Sequence, residues 1–114
     1  MNHKLSTQLL KGTLQGVMLM ILAQEPEYGY GLSTKLNHYG LSEIPKGTIY
    51  PLLATMEKNG LIEGRMKPSD EGPDRKYFFI TSAGQAAKAD FIEQWNQLAA
   101  SVTKLINEES TDEN

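Results

Sequence analysis

Six basic side chains, Lys46, Lys58, Arg65, Lys67, Arg75 and Lys76, fall within residues 41–80, and Lys4 and Lys11 lie upstream of them. Ammonium and guanidinium groups grouped in this way can neutralise the phosphates of a polyanion, even on a protein whose overall charge is unfavourable. Other chemistry finds no parts. With no cysteine, thiol nucleophiles, zinc-thiolate sites and disulfides are excluded, and nothing ties the chain to an oxidising compartment. His3 and His38 are isolated from any acidic cluster at ligand spacing, so no metal site is expected. YGYG, residues 28–31, lacks the Lys-Ser/Thr that a phosphate cradle needs at its helix start. No catalytic set is assembled, and neither enzymatic activity nor a cofactor is expected.

The net charge of −3 is unevenly spread. Residues 1–40 carry 3 basic and 2 acidic side chains, residues 41–80 carry 6 of each, and residues 81–114 carry 2 basic and 6 acidic. A chain of 114 residues, 39% of them apolar, fits one small domain and one appendage. The longest apolar run, residues 17–23, is far short of the roughly 18 to 20 residues of a membrane span. A soluble, cytoplasmic protein without a membrane partner is expected.

The basic residues need elements to position them. Residues 5–24 place Leu10, Leu14, Val17 and Ile21 at helical spacing and become apolar all round, which predicts a buried central helix. EPEY breaks it at Pro26, and a short helix from Gly29 to about Tyr39 follows, with Leu32 and Leu36 on one side and Gly40 at its end. Ile49, Leu52, Leu53 and Met56 stand at i, i+3, i+4 and i+7, one face of a third helix. Gly60 suits the left-handed residue after its last turn. LIEGRM and RKYFFIT predict two strands, with KPSDEGPD, residues 67–74, as the loop between them. After Thr81 as N-cap, one long helix is predicted to about Asn107. Its apolar residues fall into heptad-spaced sets: Phe91, Leu98 and Leu105; Trp95 and Val102; Ile92, Ala99 and Ile106. That stripe is wider than a single domain needs. The acidic tail, residues 108–114, is predicted to be disordered.

This order of elements is that of a mainly α, α+β fold: a winged helix-turn-helix over residues 1–81 with a two-stranded wing, followed by a long C-terminal helix over residues 82–107. YGYGL, GTIYPLL, EKNGLI and GPDRKYFFIT closely resemble, in order and register, the PadR family of transcriptional regulators. The length resembles the short subfamily, including its multidrug-sensing members, whose single C-terminal helix pairs two subunits. The resemblance implies a cytoplasmic homodimer, usually a repressor, that binds double-stranded operator DNA. Asp74 departs from the family, which more often has proline or a basic residue there, so Arg75 at the wing base is a better phosphate contact than the tip.

With Ile49 facing the core, the opposite side of the third helix presents Gly47, Pro51, Ala54, Thr55 and Lys58, flanked by Thr48 and Tyr50. Lacking Arg, Asn and Gln, this face offers hydroxyls and apolar contact to thymine methyls, so phosphate contacts and DNA shape are expected to supply much of the specificity. The DNA-binding candidates are Lys46, Thr48, Tyr50, Pro51, Thr55, Lys67, Arg75, Tyr28 and Lys4. Pro51 leaves the helix start open: local cost favours Thr48, and the family pattern favours a start near Pro45. At the other end, FIEQW matches the place where some short family members set a tryptophan against its mate and sandwich flat aromatic compounds. The resemblance therefore implies a planar aromatic inducer site at Trp95, with Phe91, Leu98 and Ala99 beside it and Leu10 and Leu14 contributed by the first helix. Phe91, Ile92, Trp95, Leu98, Val102 and Leu105 are the dimer-interface candidates. The alternative is a winged-helix module for protein contacts without DNA binding, which the acidic wing tip favours.

Overall fold

The computed structural model describes residues 5–42 and 44–112. They form α1 (Thr7–Leu10), α2 (Leu14–Gln24), β1 (Glu27–Tyr28), α3 (Gly29–His38), α4 (Lys46–Lys58), β2 (Ile62–Ser69), β3 (Gly72–Ile80) and α5 (Ser82–Asp112). The architecture is the expected winged helix-turn-helix with a long final helix. Several details differ.

Residues 5–24 are two helices and not one. Gly12 takes a φ of 92°, and the Thr13 amide and hydroxyl both donate to the Leu10 carbonyl, at 3.0 and 2.9 Å. The side-chain period continues across the break, but a left-handed glycine redirects the backbone without disturbing that period. The third predicted helix begins at Lys46 with Pro45 as its N-cap, so Pro51 sits inside it. With no amide on Pro51, the Gly47 carbonyl has no helical partner. α3 and α4 end alike: Leu41 donates to the Leu36 carbonyl at 2.8 Å and Leu61 to the Met56 carbonyl at 3.0 Å. Gly40 and Gly60 supply the left-handed turn at φ of 87° and 76°, the helix stop expected of Gly60.

The predicted loop at residues 67–74 is mostly strand, because β2 and β3 extend until only Asp70 and Glu71 form the turn. Pro68 is accommodated at an irregularity in the ladder between Lys67 and Ser69, on an edge strand where its missing amide costs little. A third strand was not foreseen. β1 pairs antiparallel with β3, Glu27 opposite Phe78 and Tyr28 opposite Tyr77, giving the sheet order β1-β3-β2.

The core gathers Met18, Leu19 and Leu22 of α2, Leu32 and Leu36 of α3, Ile49, Leu53 and Met56 of α4, and Ile62 and Phe78 of the sheet. Burial of each such side chain stabilises the fold by about 1.5 to 3 kcal/mol. Among the described residues no polar side chain is buried with them. Thr81 begins α5 as expected, its hydroxyl accepting the Gly84 amide at 3.0 Å while donating to the Gly60 carbonyl at 2.6 Å. The start of α5 packs on α2, where the Phe91 ring lies so close over Gly16 that a Cβ there would be 2.2 Å from it. Beyond Ile92 the helix leaves the head and continues to Asp112, so residues 108–112 are helical and not a disordered tail. Glu113 and Asn114 lie outside the described residues. The molecule measures 62 × 33 × 21 Å, and its radius of gyration of 16.9 Å exceeds the roughly 13 Å of a compact chain of this length.

Candidate nucleic-acid interface

On α4, Ile49, Leu53 and Met56 are buried, and Lys46, Gly47, Tyr50, Pro51, Ala54, Thr55 and Lys58 form the exposed face. Tyr50 is held in place by α3, since its ring lies over Gly29, where a Cβ would be 2.4 Å from it. The Thr55 hydroxyl donates to the Pro51 carbonyl at 3.1 Å, which leaves its lone pairs as the group it can offer. Thr48, on the flank of this face, is half-buried and lines a cavity behind the helix. Lys4 lies outside the described residues.

Alternation along the sheet brings Arg65 and Lys67 of β2, Arg75, Tyr77 and Phe79 of β3, and Tyr28 of β1 onto one face. Lys67 and Arg75 are direct cross-strand partners. The cations lie over rings: Arg75 is 4.7 Å from the Tyr28 centroid, Arg65 is 4.7 Å from Phe79, and Lys67 is 5.1 Å from both Tyr77 and Phe79. Arg75 also donates to the Tyr28 hydroxyl at 3.2 Å. Such contacts hold the cationic heads without neutralising them, apart from Arg65, which meets Glu63 at 3.4 Å. Sequence reasoning named Arg75, Lys67 and Tyr28 but not the aromatic floor beneath them. The alternation of residues 75, 77 and 79 was the available signal, but β1, which brings Tyr28 in, is only two residues long.

Lys76 points the other way and pairs with Glu57 of α4 at 2.9 Å. That hydrogen bond holds the Glu57 carboxyl below the usual glutamate range, against the opposing effect of its partial burial. Glu57 also accepts the Gly64 amide at 3.2 Å, so one carboxylate ties both strands of the wing to α4. In α3, Lys35 bridges Glu25 and Glu27. Partial burial would lower its ammonium pKa, but the two carboxylates outweigh this and raise it. Asp70, Glu71 and Asp74 are exposed at the wing tip.

The predicted ligand residues separate. Phe91, Trp95 and Leu98 share a cavity of about 460 Å³ with Gly12 and Thr13. Leu10 and Leu14 line a different one, where Leu14 is only 5% exposed and part of the core. Ala99 faces a third recess further along α5. Within one chain, therefore, the first helix does not bring Leu10 and Leu14 to Trp95. Of the interface candidates, Phe91 and Ile92 are half-buried against the head, whereas Trp95, Leu98, Val102 and Leu105 are exposed.

An exposed helix face beside a cationic wing is a general DNA-reading geometry. The model of the transcriptional regulator PadR-like family matches residues 18–90. The chain belongs to that family. As a PadR-like regulator it is of the DNA-binding transcriptional class, and the match spans the core, α4 and the whole wing. A PadR-like transcriptional regulator from Bacillus cereus is 46% identical with a TM-score of 0.80, over 88% of this chain and 97% of that one. A Streptococcus transcriptional regulator is 45% identical with a TM-score of 0.79, over 88% and 98%. A PadR family regulator from Eggerthella lenta is 33% identical with a TM-score of 0.77, over 87% and 86%. Among the described residues no helix is long and apolar enough to cross a membrane.

Proposed function

We propose that the protein is a homodimeric repressor whose two α4 helices and wings bind an operator, and that a planar hydrophobic or aromatic ligand at the α5 interface releases it. The observation that carries the DNA reading is the cationic sheet face, where Arg75 and Lys67 are held over Tyr28, Tyr77 and Phe79, with the exposed Tyr50 of α4 over Gly29, the residue after Tyr28. Phosphates meeting this face fix register, and the small, weakly polar α4 face then adds apolar and hydroxyl contacts.

The exposed stripe of Trp95, Leu98, Val102 and Leu105 supports self-association, because apolar surface at this spacing favours a second helix. Pairing along α5 puts two Trp95 rings, each with Phe91 and Leu98 nearby, at a shared seam able to take a flat ligand, with Glu93 or Asp90 beside it for a cationic one. A ligand that alters the seam changes the distance between two reading helices that must match half-sites about 34 Å apart. DNA then weakens ligand binding by the same factor as ligand weakens DNA binding.

Fluorescence anisotropy of a labelled duplex from directly upstream of the gene, against a scrambled duplex at two salt concentrations, tests this. Sequence-dependent binding that weakens steeply with salt is expected. The acidic wing tip favours one other reading, a protein-interaction module, and equal, salt-insensitive behaviour of both duplexes would select it. Planar dyes that leave Trp95 emission unchanged would remove the ligand from the proposal.

A further inference from the structure

Behind α4 lies a cavity of about 410 Å³, bounded by α1, the start of α2 and the loop before α4. Its size is within the range of small-molecule sites. It shares only Gly12 with the Trp95 cavity. Leu5, Leu10, Leu14, Ile44 and Leu52 give it apolar walls. Among the described residues Lys11 is the one charged lining group, with Gln15, Ser42 and Thr48 as neutral hydrogen-bonding neighbours. Among the described residues no carboxylate forms an ion pair with Lys11.

We propose that this cavity binds an amphipathic monoanion, a medium-chain carboxylate with its apolar chain among the leucines and its head group on Lys11. A described lining that is apolar but for a single cation disfavours organic cations and gives a carboxylate an ion pair that an alcohol lacks. α1 is joined to α2 through the left-handed Gly12, where a Cβ would meet nothing within 4 Å.

Occupancy also reaches the reading helix. Pro45, the N-cap of α4, lines the cavity together with Thr48 and Leu52, one turn apart on the inner side of the helix. A ligand there biases the first two turns of α4, which carry Lys46 and Tyr50 on their outer side. This coupling rests on the DNA-binding role proposed above. The binding itself does not.

Calorimetry on the intact protein with octanoate, octanol and octylammonium tests the site. Octanoate should bind saturably, one per chain, and octylammonium should not. Lys11→Gln should weaken octanoate about tenfold, as loss of one charge-assisted contact predicts, and leave octanol unchanged. Leu10→Trp fills the cavity and should abolish binding of both, with Ser42→Trp as the substitute if that variant does not fold. Trp95→Ala should change neither. The proposal is overturned if octanoate does not saturate, as when a second copy of the chain closes the cavity. It is equally overturned if octylammonium binds as well as octanoate, or if binding survives the filling variants and is lost with Trp95→Ala. Octanoate added to the duplex anisotropy assay tests coupling separately. Confirmed binding with no change in duplex affinity would sink the coupling alone.

Discussion

The head and the far half of α5 are built from similar apolar residues and end in opposite states. In the head, Leu32, Leu36 and Met56 are at most 1% exposed, and the stops of α3 and α4 and the pairing of the three strands close within the chain. Past Ile92, Trp95 is 48% exposed, Leu98 55%, Val102 45% and Leu105 65%. A solitary helix gains little in water from such residues, because helical stability comes mainly from packing an apolar face. The head thus specifies its own structure, while the far helix has the surface of one half of a helix pair.

The largest expected effect breaks the head. Leu36→Ala should cost about 2 to 5 kcal/mol in urea unfolding, whatever the protein concentration. An equal loss from Leu105→Ala in the dissociated chain would erase the contrast between the regions. Next, Leu98→Asp combined with Val102→Asp should raise the dimer dissociation constant at least about a hundredfold by burying charge at the seam. Light scattering that shows unchanged mass at micromolar protein would refute the pairing surface.

Within the head, Arg75→Ala should reduce duplex affinity about tenfold and flatten its salt dependence by about one counterion per protomer. Lys76→Ala, whose ammonium is engaged by Glu57, should leave the salt slope as it is. Equal slopes for the two variants would mean that the sheet face is not the phosphate contact. The smallest effect belongs to Glu57→Gln, at under about 1 kcal/mol, since both partners are more than a third exposed and screened by solvent. Its carboxyl pKa is lowered by folding, so its contribution is full above the ordinary glutamate range and lost as pH falls through the folded value. Unfolding curves of wild type and Glu57→Gln should converge in acid. A gap that widens there would reverse the sign.

Much of the head was legible because its signals are local and agree. Ile49, Leu53 and Met56 report a helix face, Gly60 its end and Thr81 the next beginning. The break at Gly12 was hidden because Leu10 and Leu14 keep helical spacing across it. Pro68, Gly72 and Pro73 suggested a loop, but Pro68 falls on the edge strand β2, and Gly72 and Pro73 are the first two residues of β3, positions where a strand tolerates them. The cationic sheet face depends on Tyr28 meeting Tyr77 across 49 residues of chain, a tertiary fact with no local pattern. The ligand residues were grouped around a tryptophan placed by likeness to other proteins, and the structure sets Leu10 and Leu14 in one cavity, Phe91, Trp95 and Leu98 in another and Ala99 in a third.

Thr81 does more than start a helix. Its amide donates to the Leu61 carbonyl at 3.1 Å and its hydroxyl to that of Gly60, so the first residue before α5 is fastened to the end of α4. α5 has 31 residues, a pointer about 46 Å long at 1.5 Å per residue, so a tilt of about 5° at this joint sweeps its far tip through about 4 Å. The same gearing works in reverse: a partner gripping the tip has mechanical advantage over the angle at which α4 is presented.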